Sequence, residues 1–570
     1  MTPIHAHTGP PIRAHTRFTS SRVKAAVPAT DRSIVTPMSW SSTRRPVEAA
    51  LVVLLAGWAA YTGILCSGHF LSLVPKHRGE TAWIIFAGLW FLAAWRIHGS
   101  RAAPGLPPDA RRWAGLLPGS AAFFLLSAAL YWPALGLGLL SDDFVLLARA
   151  VGHEFWSASP FWRPIPLMLW AAAGDSGSAA VGLHAVNVVL HAANGVLLAA
   201  IARRIGLPNR VALAAGVLFV CFPASVEAVA WASGIQDVLM ATGCLIFVFA
   251  CSSAEPRWGT ACAGLAGLAL ALGTKETAVA APFLAFALWW RRGERRRILV
   301  LAGAAAALAY AWFRMPSVQG NEGFAIVPSR YFVKELLSRP FATLSVPFTS
   351  AELARAPAIG VAMTWLVLAP LVAAVTFDRG TAARAGIVVR SAAWVLLAVA
   401  PVYSMFFVSA DLQGSRYLYL PACGWAMLLS ALLLDSSRAA TARLGLLMTA
   451  ALALVWAGGI RLHLADWESA SRLRDRVLAS ADSQLSRTDC GMVHFTGIPD
   501  SVGGAYVFRN GFLEAIGAAA TAGAGAAGSA GGPSATACAV EWRGGAFQQA
   551  AADSGGPSGT RWSAPSRSRR

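Results

Sequence analysis

Charge is scarce in this chain. Asp, Glu, Lys and Arg make up 13% of its 570 residues against 56% hydrophobic, and the mean hydropathy is +0.54. Soluble domains carry about a quarter charged residues, so that class is excluded and an integral membrane protein is indicated. Acids are rarer than bases, 28 against 47, for a net charge of +19. The bases form no single face. They sit in the first 45 residues, in short turns between apolar runs and in the last few positions. That is a topology signal, not a phosphate-binding patch, and nucleic acid is excluded as a partner.

Cysteine is sparse too: eight residues, without metal-ligand spacing. Cys66, Cys221, Cys244, Cys251, Cys262 and Cys423 lie in or beside apolar runs, where cysteine behaves as a small hydrophobe. Cys490 and Cys538 fall in a polar C-terminal part and are candidates to pair in an oxidising compartment. No internal repeat of solenoid period is visible. No apolar h-region lies within residues 1–45, which are rich in Ser, Thr, Pro and Arg. They read as a disordered basic cytoplasmic tail, not a cleaved signal peptide.

What the chain has in abundance is apolar runs. They fall at 48–66, 82–97, 114–139, 180–202, 210–224, 236–252, 259–273, 277–291, 298–314, 357–376, 391–409, 416–434 and 441–460. Runs of this kind predict an all-α polytopic membrane protein of about thirteen transmembrane helices. The expected organisation is a tail at 1–45, two helices in 46–113, a transmembrane domain at 114–460, a small extracytoplasmic segment at 461–514 and an Ala/Gly/Ser-rich disordered tail at 515–570. With residues 1–45 inside, the cytoplasmic turns hold Arg96 to Arg112, Arg203-Arg204, Arg291-Arg292 with Arg295-Arg296-Arg297, Arg379 to Arg390, and Arg438 with Arg443. The opposite loops hold almost no Lys or Arg, which favours this orientation in a bacterial-type inner membrane.

That threading places several polar residues on the outer side. Asp142 and Asp143 stand where the 114–139 run ends, and carboxylates there are costly unless they meet water, a partner or a substrate. Residues 140–179 form a long loop in which Phe155, Trp156, Phe161 and Trp162 alternate with Arg149 and Arg163, a composition suited to the membrane interface. His184, Asn187, His191 and Asn194 share one helical face and predict either a polar seam between helices or the wall of a wet cavity. Glu227, the turn Lys275-Glu276 and Arg416-Tyr417 follow. Arg416 reads equally as an interfacial anchor or as a cation for a lipid phosphate. Residues 490–512 are expected to form a small strand-containing cap.

The order Ser141-Asp142-Asp143-Phe144, Trp162-Arg163-Pro164, His184 to His191, Val226-Glu227 to Gln236-Asp237, Thr274-Lys275-Glu276-Thr277 and Ser415-Arg416-Tyr417-Leu418-Tyr419 resembles the GT-C membrane glycosyltransferases. Within them it is similar to bacterial relatives of TMTC-type protein O-mannosyltransferases, over roughly residues 114–470. The tetratricopeptide repeats common in that family are absent, and the helices of 46–113 precede the family's usual first one. The resemblance implies a polyprenyl-phosphate-linked sugar donor and a protein or glycan acceptor, used at the outer face of the bilayer. It implies Asp142 as general base on the acceptor hydroxyl, with Asp143 orienting the acceptor or holding a divalent cation; no cofactor is certain. Arg163, His184, Glu227, Lys275, Glu276, Arg416 and Tyr417 become the substrate-binding candidates. A transporter or flippase of lipid-linked saccharides is the alternative that the helix count and polar seam also allow, although no duplicated half is seen. A structural membrane subunit is a third reading.

Overall fold

The computed structural model describes residues 117–563 except 157–161, 175–178, 254–255, 290–293, 319–339, 342, 361, 364–365, 367–381, 403–407, 435–438, 488–491, 524–536 and 550–559. The predicted runs at 48–66 and 82–97, and most of 357–376, lie outside these residues. The helices are α1 Leu117–Tyr131, α2 Asp142–Val151, α3 Pro164–Ala173, α4 Ala179–Arg204, α5 Asn209–Val220, α6 Val226–Ala230, α7 Ile235–Ala250 and α8 Trp258–Leu272. They continue as α9 Ala281–Trp289, α10 Glu294–Val318, α11 Ser350–Arg355, α12 Ala382–Val399, α13 Tyr419–Leu434, α14 Ala439–Arg487 and α15 Phe512–Gly523.

Among the described residues five helical segments are long and apolar enough to cross a membrane: Ala179–Arg204, Ala232–Ala250, Arg295–Phe313, Ser415–Leu434 and Arg443–Arg487. A sixth results if α5 and the stretch Pro223–Ala230, bent from it by 53°, are one span. Pro223 explains the bend, since it lacks the N–H that would continue the ladder. Other apolar runs within the described residues form shorter helices, such as Trp258–Leu272 and Glu276–Trp289.

α4 packs on α5 and α7, and α13 packs on α5. Every residue of α13 is buried, which explains why this helix is apolar all round instead of amphipathic. Small residues allow the close approaches. A side chain at Gly195 or Gly216 would strike the facing helix or Phe123, as expected where helices associate without water to drive them. The polar face of α4 forms a seam. Asn187 Nδ2 donates to the Trp231 carbonyl at 2.8 Å and Asn194 Nδ2 to the Val238 carbonyl at 3.0 Å and the Tyr419 hydroxyl at 3.2 Å. His191 Nε2 lies 3.2 Å from the Val220 carbonyl, and its Nδ1 lies 2.8 Å from the Tyr419 hydroxyl. A carbonyl only accepts, so Nε2 carries the proton and Nδ1 accepts from Tyr419.

α14 runs 49 residues without a break, about 74 Å of helix and far more than a bilayer core requires. The charged stretch beyond residue 460 continues this helix. A small sheet follows, from β1 Met492–Thr496, β4 Ala537–Arg543, β5 Ala546–Gln549 and β6 Thr560–Ser563 in the order β5-β4-β1-β6, with a separate hairpin of β2 Ser501–Val502 and β3 Ala505–Tyr506. β1 and β4 are parallel, and α15 lies within the crossover that such a pair needs. Phe495, Phe512 and Phe547 meet in its core, with Phe495–Phe512 and Phe495–Phe547 ring centroids 5.3 and 4.9 Å apart.

This corrects the expectation of a structureless tail at 515–570. Low-complexity composition hides β4, β5 and β6, whose apolar residues Val540 and Phe547 are buried. Cys538 is disulfide-bonded; Cys490, its expected partner, lies outside the described residues.

Candidate functional site

Acids open the helices that meet at the site. Asp142 and Asp143 begin α2, Glu227 and Asp237 stand in the first turns of α6 and α7, and Glu276 opens a 3-10 turn. Unsatisfied N–H groups and the positive end of the helix dipole favour carboxylates at such positions. The cations come from the turns beside them. Arg163 precedes Pro164 at the start of α3, Lys275 precedes Glu276, and Arg416 follows Gly414, whose φ of +85° suits glycine.

These segments converge on one cavity of about 510 Å³. Its lining includes Asp142, Arg163, Lys275, Glu276, Arg416 and Tyr417 from the sequence-based set, together with Arg149, Trp231, Ser233, Gln236, Asp237, Asn510 and Glu514. Four cations and four acids balance, so an anion entering here would be held by directed donors and not by a net positive field.

Each of the three inner cations has its own acid. Arg163 forks onto Glu276, with Nη2–Oε1 at 2.5 Å and Nε–Oε2 at 3.1 Å, and also donates to Gln236. Lys275 Nζ lies 2.5 Å from Asp237 Oδ1 and 5.2 Å from the centre of the Tyr417 ring. Arg416 pairs with Glu227 and lies 5.0, 5.3 and 5.8 Å from the Trp231, Tyr417 and Tyr506 ring centres. Glu227 also accepts from the Arg416 backbone N–H and Ser415 Oγ, each at 3.2 Å, and from the Tyr506 hydroxyl at 3.3 Å. The acids fix each cation's direction; Arg163 and Arg416 keep part of their side chains exposed, whereas Lys275 is buried at the cavity wall. Arg163 is held well into its charged form: burial opposes the charge, but the neighbouring Glu276 outweighs it.

The adjacent acids Asp142 and Asp143 part company, because consecutive residues on a helix do not face the same way. Asp142 lines the cavity, and Asn510 Nδ2 donates to its Oδ1 at 2.6 Å. Asp143 is buried beneath it. Its Oδ2 accepts from the Leu140 N–H at 2.8 Å, and its Oδ1 from the Ser233 N–H at 2.8 Å and from Ser233 Oγ. Burial pushes its carboxyl up from an ordinary 3.8 to about 7, against the pull of the Ser233 and Leu140 donors. With both oxygens engaged, Asp143 ties the loop before α2 to the turn before α7. No group of three or more potential metal ligands occurs among the described residues.

Two other candidates also stand behind the cavity wall. Glu227 is buried as the anchor of Arg416, and His184 is buried in the α4 seam without lining the cavity. Of the residues absent from the sequence-based set, Gln236 and Asp237 had a signal, since they close the motif that begins at Val226. Asn510 and Glu514 had none: they reach the cavity only because the C-terminal sheet folds back onto it.

No family model matches the chain. Over 196 residues, 30% of its length, it is 31% identical to protein O-mannosyl-transferase Tmtc1 of Drosophila melanogaster, and the match spans 22% of that protein. The resemblance of the motif order to TMTC-type transferases thus agrees with direct sequence similarity to one of them. Among solved structures, ArnT from Cupriavidus metallidurans bound to undecaprenyl phosphate aligns with a TM-score of 0.33 and 15% identity, over 73% of this chain and 88% of that one.

Proposed function

We propose that this chain is an integral-membrane glycosyltransferase that moves a sugar from a polyprenyl-phosphate-linked donor to a hydroxyl of a protein or glycan. The observation that carries the reading is the division of labour around one cavity. Asp142 meets a neutral amide there, while Arg163, Lys275 and Arg416 present directed cations from other segments. A hydroxyl is a weak nucleophile until a positioned base takes its proton, and a carboxylate engaged by an amide keeps the second oxygen for that work. Attack on the anomeric carbon from the face opposite the departing lipid phosphate inverts that centre. The charge growing on the phosphate is stabilised by the three cations, and Trp231 and Tyr417 offer flat apolar faces to a sugar ring.

The lining also favours a transferase over a flippase. It comes from helix starts, turns and the short helix α2, and not from the middles of the spanning helices. Similarity to Tmtc1 supports the same class of chemistry. The disulfide at Cys538 supports an extracytoplasmic C-terminal part, since such bonds persist in oxidising compartments. Arg203, Arg204 and Arg210 stand at the opposite ends of α4 and α5 from the site, as expected if that end is cytoplasmic.

The test is transfer by the purified protein in detergent or nanodiscs. Labelled polyprenyl-phosphate monosaccharides are supplied with hydroxyl-bearing peptide and glycan acceptors, and product is followed by mass spectrometry. At least one donor should yield a glycosylated acceptor. Movement of intact lipid-linked sugar across proteoliposomes with no transfer would replace this reading by the flippase.

A further inference from the structure

The loop Tyr506–Gly511 joins the C-terminal sheet to the cavity. It is pinned to the start of α2 by several independent contacts. The Ser141 N–H donates to the Val507 carbonyl at 2.9 Å, the Asn510 N–H donates to Ser141 Oγ at 3.3 Å, and the Phe508 and Phe144 rings stack at 5.9 Å. On its other side, Arg509 pairs with Asp500 at 2.7 Å and donates to Gln413 Oε1 at 2.8 Å. Gly511 sits at φ +79° against the Ser141 carbonyl, where an added Cβ would collide. A loop held from both sides has a defined tip, and that tip is the Asn510 amide on Asp142 Oδ1.

We propose that Asn510 is a positioning residue for Asp142, so that the C-terminal unit completes the acceptor side of the active site; the proposal rests on the transferase reading above. A carboxylate at the exposed start of a helix can rotate about two side-chain bonds. An amide donating to one oxygen fixes that rotation and directs the other oxygen into the cavity. The arrangement also explains the fold of this region. The loop lies between the catalytic cavity and a second one of about 380 Å³ on the C-terminal unit, and Asn510, Gly511 and Glu514 line both. An acceptor lying along the second cavity therefore reaches Asp142 past Asn510.

A double-mutant cycle between positions 510 and 142 tests this. Asn510→Ala should lower kcat roughly 10–100-fold, the scale of a misplaced reacting group, with donor KM little changed. Asn510→Asp, of equal size, should do no better, because it sets one carboxylate against another. Asn510→His, which retains a donor, should recover part of the loss. In the Asp142→Asn background, Asn510→Ala should cost almost nothing further, because a residue acting through Asp142 has nothing left to position. Gly511→Ala, which displaces the loop by strain, should show the same dependence on Asp142. Full additivity of Asn510→Ala with Asp142→Asn would overturn the proposal, as would an unchanged kcat in Asn510→Ala when Asp142→Asn abolishes transfer. A wild-type protein without transferase activity would instead remove the reading beneath it.

Discussion

Lys275 and Asp237 face each other across 2.5 Å with side chains only 4% and 5% exposed. They come from different helix starts, and the pair both joins those segments and aims an ammonium at the cavity. A buried pair is costly to break from one side, because the remaining charge has no water to solvate it. On the proposed function, an incoming donor phosphate would open this pair and take over the cation, so that stability and donor use would meet in one contact that mutation can separate.

Lys275→Met should destabilise the fold by about 3–5 kcal/mol, the cost of stranding Asp237 in a buried site. Lys275→Met with Asp237→Leu should recover most of that loss, yet donor KM should stay raised in both variants. Thermal unfolding in detergent and donor titrations measure the two effects. A double variant with normal donor use would remove Lys275 from the donor site.

Asp142→Asn keeps volume and hydrogen bonding but cannot take a proton. Transfer should fall roughly 10²–10⁴-fold, the usual contribution of a positioned base. Yield and membrane insertion should be unchanged, since the side chain faces the cavity. Equal rates for Asp142→Asn and wild type would assign the base elsewhere.

Asp143 predicts a pH effect of definite sign. Its carboxyl titrates near 3.8 when unfolded and near 7 when buried in the fold. The stability from its protonated form is fully present below about pH 4 and is lost as pH rises through about 7. Unfolding followed between pH 4 and 8 should show wild type weakening up to about pH 7 and levelling off above it. Asp143→Asn should flatten that slope, and an unaltered slope would show that another group is responsible.

Reporter fusions at Gly293 and Ser483 should lie on opposite sides of the membrane, the first cytoplasmic and the second outside. One side for both would refute the orientation and place the cavity away from an external donor.

Much of the site was legible as motifs because the residues that supply it are short segments at helix starts. Asp142, Arg163, Lys275 and Glu276 stand in polar breaks between apolar runs, Arg416 and Tyr417 open one, and all six line the cavity. The sequence could not distinguish lining from support. Asp143 and Asp142 are neighbours of one type, yet one is satisfied by Ser233 and Leu140 while the other meets Asn510. His184 shares its helical face with three other polar residues, and nothing in that spacing says whether the face meets another helix or water.

By itself the amino-acid sequence determined that this is a helical membrane protein and which segments begin its helices. Hydrophobic run length and the placement of acids and turns are local properties that depend little on distant contacts. Tertiary structure decided which cation pairs with which acid, which of two adjacent carboxylates faces the cavity, that strands within the Ala/Gly/Ser-rich tail complete a sheet, and that the loop before α15 brings Asn510 to Asp142. Those outcomes depend on contacts between distant residues, 368 positions apart for Asn510 and Asp142, and no periodicity within a segment encodes them. They are set by the packing of whole helices, where burial leaves each polar group only the partners that the neighbouring elements bring.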